Sequence, residues 1–142
     1  MLSGVVNLTA DTLQKIGDYD SVTVAPMKAS TYVGSVALTT GVFRREGDQF
    51  ISTYDAKVRP WFFWGETGRI TITLPLAELE KLARGERVEF TGEALSNHNK
   101  SRKVTGRADQ TGVASGKIKV RIKVDDTDVV FNGNYFFNKA VK

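Results

Sequence analysis

The sequence predicts an all-β domain of mainly antiparallel strands, about eight in number, with one or two short helices. Three observations support this prediction. Short segments in which apolar and polar residues alternate recur along the chain, separated by turn residues. Every connection between them is short, and none has the length of the crossover that joins parallel strands. The 142 residues suffice for one hydrophobic core, so residues 1–142 are predicted to form a single β domain.

A meander of about eight antiparallel strands can end in two architectures, a closed or partly open barrel or a sandwich of two sheets. We favour the barrel, because successive hairpins place each strand beside the next and closure removes the exposed strand edges. A short helix between the fourth and fifth strands would then cover one end or one face of the barrel.

The strands are predicted from alternating runs that are bounded by glycine, proline or polar residues. The fourth run shows the pattern most clearly, with Ile70, Ile72 and Leu74 on one face. Gly34 and Gly41 in the second run predict bulges or bends. In chain order the eight strands cover residues 21–27, 32–43, 49–58, 69–74, 87–95, 103–110, 117–124 and 129–137.

Two short helices are predicted where capping residues flank a small apolar stripe. The first covers residues 9–17, with Thr9 as its N-cap. The second covers residues 76–83, after Pro75 at the first helical position and before Gly85. Its apolar side carries Leu76, Leu79 and Leu82. The remaining connections are predicted as turns at residues 44–48, 65–68, 111–116 and 125–128, with an exposed polar loop over residues 96–101.

The composition excludes several kinds of chemistry. The chain has no cysteine and one histidine, His98, which excludes thiolate catalysis, disulfides, cysteine-based metal sites and a histidine pair within one chain. Neither of the glycine-rich phosphate-loop motifs is present. His98 lies in the polar loop with no predicted nucleophile or orienting acid beside it. We therefore predict a binding protein rather than an enzyme, with no catalytic residue, metal or cofactor.

Four consecutive aromatic residues form the most unusual local feature of the sequence. Successive side chains of a strand point to opposite faces, so at most two of the four can face one core. The others must be covered by another part of the chain or by a second copy, or they contact a ligand or partner. We predict these four as ligand or interface residues, with a homo-oligomer as one partner: Trp61, Phe62, Phe63 and Trp64.

The charge of the chain is polarised. Residues 100–123 hold eight basic residues and one acidic residue, a net charge of +7, while the other 118 residues carry −3. The predicted strand over residues 117–124 has an outward face of four basic residues, here called the basic row: Lys117, Lys119, Arg121 and Lys123. An ordinary solvated strand face explains such a row, since lysine also discourages edge-to-edge pairing, and Glu89 and Glu93 on a neighbouring strand could neutralise it.

The alternative explanation of the basic row is an anion-binding site for a phosphate-rich polymer or for anionic lipid headgroups. No aromatic residue is interleaved with the row, which argues against a nucleic acid partner.

Two functions follow from these features. The first is a binding module that holds a small apolar or amphipathic ligand inside the barrel, since eight strands leave room for side chains or for one small ligand. The alternative is a docking domain for a protein, an anionic polymer or a membrane surface. The strand order around one short helix is similar to that of small ligand-binding barrels such as the lipocalins and the YceI-like lipid binders. The lipocalin G-x-W motif near the first strand is missing, so no residue role is transferred.

The sequence leaves the location of the protein open. No apolar run approaches the ~18 residues of a membrane span, so we expect a soluble chain without a transmembrane segment. The first residues contain no basic residue before a short apolar stretch. This pattern fits a cytoplasmic protein, and it fits an exported protein whose signal peptide has been removed.

Overall fold

The computed structural model describes residues 19–31, 34–59 and 65–138, of which about 71% lie in strands. One helix, α1 (Leu76–Ala83), lies between the sixth and seventh strands. The predicted first helix, over residues 9–17, lies outside the described residues. The strands are β1 (Ser21–Val24), β2 (Met27–Thr31), β3 (Gly34–Thr40), β4 (Phe43–Glu46), β5 (Gln49–Arg59), β6 (Glu66–Thr73), β7 (Val88–Ser96), β8 (Ser101–Gln110), β9 (Ser115–Val124) and β10 (Thr127–Asn138).

Eight of these strands close an antiparallel barrel, which confirms the predicted fold class and selects the barrel over the sandwich. Their order around the barrel is β2, β3, β5, β6, β7, β8, β9 and β10, and β10 pairs with β2 to close the ring. The two remaining strands, β1 and β4, pair with each other and fill the wall between β10 and β5 at one end. The barrel wall therefore has no long free edge among the described strands.

The two additional strands arise from interruptions in the first two predicted strands. The pairs Ser21–Arg44 and Met27–Leu38 have the same register, so β1 and β2 together face β4 and β3 as one hairpin. On its other side this hairpin pairs with β10 and β5. The register shifts by one residue between the β10 pairing of β1 and that of β2, and likewise between the β5 pairing of β3 and that of β4. The breaks lie at Pro26, which has no N–H for the ladder, and at Gly41, where a bulge was predicted.

Helix α1 covers one end of the barrel, which we call the helix end; it also contains the β8–β9 connection. Leu79 and Leu82 are 0% and 1% exposed and belong to the core of the barrel. Leu76, predicted on the same apolar side, is instead 39% exposed, because it lies at the first residue of the helix. The opposite end, which we call the loop end, carries the β7–β8 and β9–β10 turns.

Several predicted turns are shorter in the structure, because strand pairing extends into them. Residues 44–46 pair with β5, so the turn that was predicted over 44–48 is reduced to Gly47 and Asp48. The turn predicted over 65–68 is wrong, since Glu66 begins β6 and pairs with Ala56. Ser96 likewise ends β7 and is buried, although it was predicted in an exposed loop.

Candidate functional site

The predicted aromatic contact residues Trp61, Phe62, Phe63 and Trp64 lie outside the described residues. Their role in contacting a ligand and the homo-oligomer expected from them therefore stay predictions.

The basic row lies on the outer face of β9. Lys117, Arg121 and Lys123 are exposed and Lys119 is half-buried, whereas Val120 and Ile122 between them are buried in the barrel. This arrangement follows from the two-residue period of a strand, which sends alternate side chains to opposite faces. None of the four basic side chains forms an ion pair with a residue in the described part of the chain.

The middle of the basic row has no acidic neighbour across either adjacent strand. Lys119 is paired with Arg107 of β8 and with Asn132 of β10. Arg121 is paired with Thr105 and with Val130. Like charges directly opposite each other on neighbouring strands repel, and Glu89 on the other side of Arg107 offsets this repulsion only in part.

The two ends of the basic row do face acidic residues. Lys117 is opposite Asp109, but the Asp109 carboxylate accepts a hydrogen bond from Arg87 Nε at 2.7 Å. Lys123 is opposite Asp128. The two glutamates of β7 are directly opposite β8 and not β9: Glu89 is opposite Arg107 and Glu93 is opposite Lys103.

A surface groove of about 540 Å³ lies beside the middle of the basic row. Its basic lining residues are Arg107, Lys119 and Arg121. Three threonines supply hydroxyl groups, and one of them, Thr105, lies directly across from Arg121. Glu78 of α1 and Glu89 of β7 also line the groove, so the net formal charge of its described lining residues is only slightly positive.

Two exposed apolar side chains continue this face toward the helix end. Val113, in the β8–β9 connection, is 85% exposed, and Phe136 of β10 is 47% exposed. Phe136 is paired with Ser115, and the next residue, Phe137, donates its N–H to the Ala114 carbonyl at 2.7 Å. The outer face of β8, β9 and β10 therefore combines a row of cations with exposed apolar groups at one end.

A second cluster of charged groups, which was not predicted from the sequence, points into the barrel at the loop end. Arg102 donates to both oxygens of Glu66, with Nη2–Oε1 at 2.9 Å and Nε–Oε2 at 3.4 Å. The Tyr54 hydroxyl donates to Glu66 Oε2 at 2.6 Å. Asp125 in the β9–β10 turn adds a weaker contact with Arg102 at 3.5 Å. An open pocket of about 530 Å³ lies beside this cluster and includes His98.

The pKa values of the cluster are set by its internal pairing. Burial would raise the pKa of the Glu66 carboxyl, but hydrogen bonds from Arg102 and Tyr54 outweigh burial and hold that pKa below its usual value. Burial and the bond to Glu66 raise the pKa of the Tyr54 phenol above its usual value. At neutral pH the carboxylate stays charged and the phenol stays protonated, so neither group is matched to general acid–base chemistry at that pH.

The barrel interior contains an apolar cavity of about 70 Å³. Sites for drug-sized ligands occupy roughly 300–1,000 Å³. The prediction that a small apolar or amphipathic ligand lies inside the barrel therefore stays a prediction, and this volume restricts it to a very small molecule.

Comparison with known proteins gives no functional information, because no family model, curated protein or solved structure matches this chain. No helix in the described ranges is long and apolar enough to span a membrane.

Proposed function

We propose that this protein is a non-catalytic docking domain that binds an anionic membrane surface through the outer face of β8, β9 and β10. The observation that carries the proposal is the row of four outward cations on β9, in which Lys119 and Arg121 have no acidic residue directly opposite on either adjacent strand. Anionic headgroups would supply negative charge at the middle of the row, where neither β8 nor β10 has an acidic residue directly opposite.

The position of β9 in the barrel supports a binding role for the row. Lysines on a strand edge protect it against pairing with other chains. However, β9 is paired with β8 on one side and with β10 on the other, so it is not an edge strand. Edge protection therefore does not account for the four cations.

Exposed apolar groups at the end of the row favour a membrane over a soluble polyanion. Reversible attachment to a bilayer draws on electrostatic attraction together with burial of apolar groups at the interface. Val113 and Phe136 can supply the apolar contribution, and Lys117 is the nearest member of the row. A soluble polyanion would use the cations but would gain little from Val113.

The expected affinity is modest and depends on salt. Each Lys or Arg close to an anionic surface contributes about 1 kcal/mol, so the four residues of the row contribute about 4 kcal/mol. Screening acts over about 8 Å at physiological ionic strength and about 3 Å at 1 M salt. We therefore expect binding that is lost at high salt and absent on neutral vesicles.

The test is sedimentation with vesicles of phosphatidylcholine, with and without phosphatidylserine. The variant K119E/R121E should bind the phosphatidylserine vesicles about 30-fold more weakly or worse, because at least 2 kcal/mol of attraction is removed. The control R44E/R69E makes the same change in net charge on exposed positions of β4 and β6 and should bind nearly as well as the parent protein.

A second pair of variants tests the apolar contribution. V113S should weaken vesicle binding, while L95S, at an exposed apolar position at the other end of the barrel, should not.

Equal vesicle binding by K119E/R121E and by the control R44E/R69E would overturn the proposal. Binding of a sulfated polysaccharide that K119E/R121E abolishes, without vesicle binding by the parent protein, would replace the membrane with a soluble polymer.

A further inference from the structure

The barrel interior contains one polar group that the fold does not satisfy. The Thr40 hydroxyl is buried and is the single buried side-chain polar atom without a hydrogen-bond partner among residues 19–31, 34–59 and 65–138. Thr40 is the last residue of β3, directly before the Gly41 bulge, and it lines the 70 Å³ cavity. A buried hydroxyl without a partner costs free energy, so its presence calls for a physical explanation.

Among the described residues that line the cavity, no other polar side chain is free. Side chains from all ten strands and from Leu82 of α1 surround the cavity, and apart from Thr40 and Tyr135 all of them are apolar. The Tyr135 hydroxyl is already committed, since it donates to Gln110 Oε1 at 2.7 Å. The lining that the structure describes is therefore apolar apart from a single available hydroxyl.

This chemistry fits a water molecule poorly. Buried waters typically make about three hydrogen bonds and rarely fewer than two, whereas the described side chains around this cavity offer one partner. A mainly apolar molecule with one polar group would instead contact the apolar walls and pair with Thr40. A cavity of about 150 Å³ can hold benzene, which has six heavy atoms, so about half that volume suits a molecule of three or four heavy atoms.

We propose that the barrel cavity binds a compact, neutral, mainly apolar molecule with one hydrogen-bonding group, and that the Thr40 hydroxyl is its polar contact. The class includes short alcohols, aldehydes and ketones. The site lies inside the barrel and does not involve the outer face of β8, β9 and β10, so the proposal stands independently of membrane docking.

The test uses 2-propanol as the polar probe and xenon as the apolar probe, with the methyl resonances of Ile118, Val120 and Leu82 recorded by NMR. Both probes should produce saturable shifts of these methyl groups in the parent protein. T40V keeps the shape of the side chain but removes the hydroxyl. It should weaken 2-propanol binding about three- to tenfold, the contribution of one hydrogen bond, and leave xenon binding unchanged.

Two further variants complete the test. T39V makes the same substitution at the adjacent, outward-facing position of β3 and should leave both probes unaffected. A108L fills the cavity and should prevent binding of both; if it fails to fold, T40V decides the question alone. Equal 2-propanol affinity in T40V and the parent protein, or shifts that do not saturate, would overturn the proposal. Vesicle binding should be unchanged in T40V.

Discussion

Replacing Glu66 by glutamine removes the negative charge that holds Arg102 inside the loop end of the barrel. The Arg102 side chain is only 13% exposed and that of Glu66 26% exposed, so water compensates the loss only in part. Asp125 remains at 3.5 Å, but its side chain is 85% exposed and its attraction is largely screened. The Tyr54 hydroxyl keeps an acceptor, because glutamine retains one oxygen.

The expected loss follows from the burial of this pair. Removing one partner of a fully buried ion pair costs about 3–5 kcal/mol, because a buried charge is left without compensation. Both side chains here are partly exposed, so we expect E66Q to lower the free energy of unfolding by about 2 kcal/mol. The control E89Q, at an exposed position of β7, should change it by less than about 0.5 kcal/mol.

The pH dependence has a definite sign. The pKa of Glu66 is lower in the folded protein than in the unfolded chain, so the ion pair adds stability above the ordinary glutamate pKa of about 4.3. That contribution is lost as the pH falls through the lowered pKa. The difference between the parent protein and E66Q should therefore be full at neutral pH and should shrink below about pH 4.

Urea denaturation followed by circular dichroism measures these differences, and a double-mutant cycle with R102M isolates the pair. Once Arg102 is absent, E66Q should cost much less than it does in the parent protein. Additive losses in the cycle, or a difference between parent and E66Q that does not depend on pH, would refute the view that Glu66 acts by compensating Arg102.

Two further pairs of substitutions test the packing and the backbone of the fold, again by urea denaturation. G106A should lower the free energy of unfolding by about 1–3 kcal/mol, because a Cβ there would meet a β9 carbonyl oxygen and would lie 2.5 Å from Phe90 Cζ. G133A should lower it less, since its Cβ would meet the flexible side chain of Met27. N99A should lower the free energy of unfolding by about 1 kcal/mol and N99G much less, because residue 99 has a φ of +63°, which glycine adopts more readily than alanine. Equal losses within either pair would contradict these expectations.

The strand order could be predicted from the sequence because it depends on local signals. Alternation, as in residues 117–124, identifies each strand, and short connections make neighbours in sequence neighbours in the barrel. The breaks at Pro26 and Gly41 were harder to place, because only the pairing with outer strands shows a register shift of one residue. Closure of the barrel likewise depends on the contact between β10 and β2, which are far apart in the sequence.

The ion pair between Glu66 and Arg102 inside the loop end was not predicted, because the sequence around each residue is typical of an exposed position. Glu66 follows Gly65 and precedes Gly68, a pattern typical of a turn, and Arg102 belongs to a strongly basic segment. The signal that could have found them is a charge on an apolar face: Arg102 shares its side of the strand with Val104 and Ala108. A charge in such a position requires an opposite charge from another strand, and only the structure identifies it.

The outward position of the four basic-row side chains, in contrast, could be predicted from the sequence. The pairing of β9 with its neighbours bears on the choice between the two explanations of the row. A solvated strand face needs polar groups but has no need for four charges of one sign. Elsewhere on the barrel wall, side chains of opposite charge lie across from each other, as Glu89 does from Arg107. Lys119 is opposite Arg107 as well, and this repulsion is offset only in part by Glu89 on the other side of Arg107. Since β9 is not an edge strand, protection of an edge does not account for the row, and we propose anion binding as the explanation for Lys119 and Arg121.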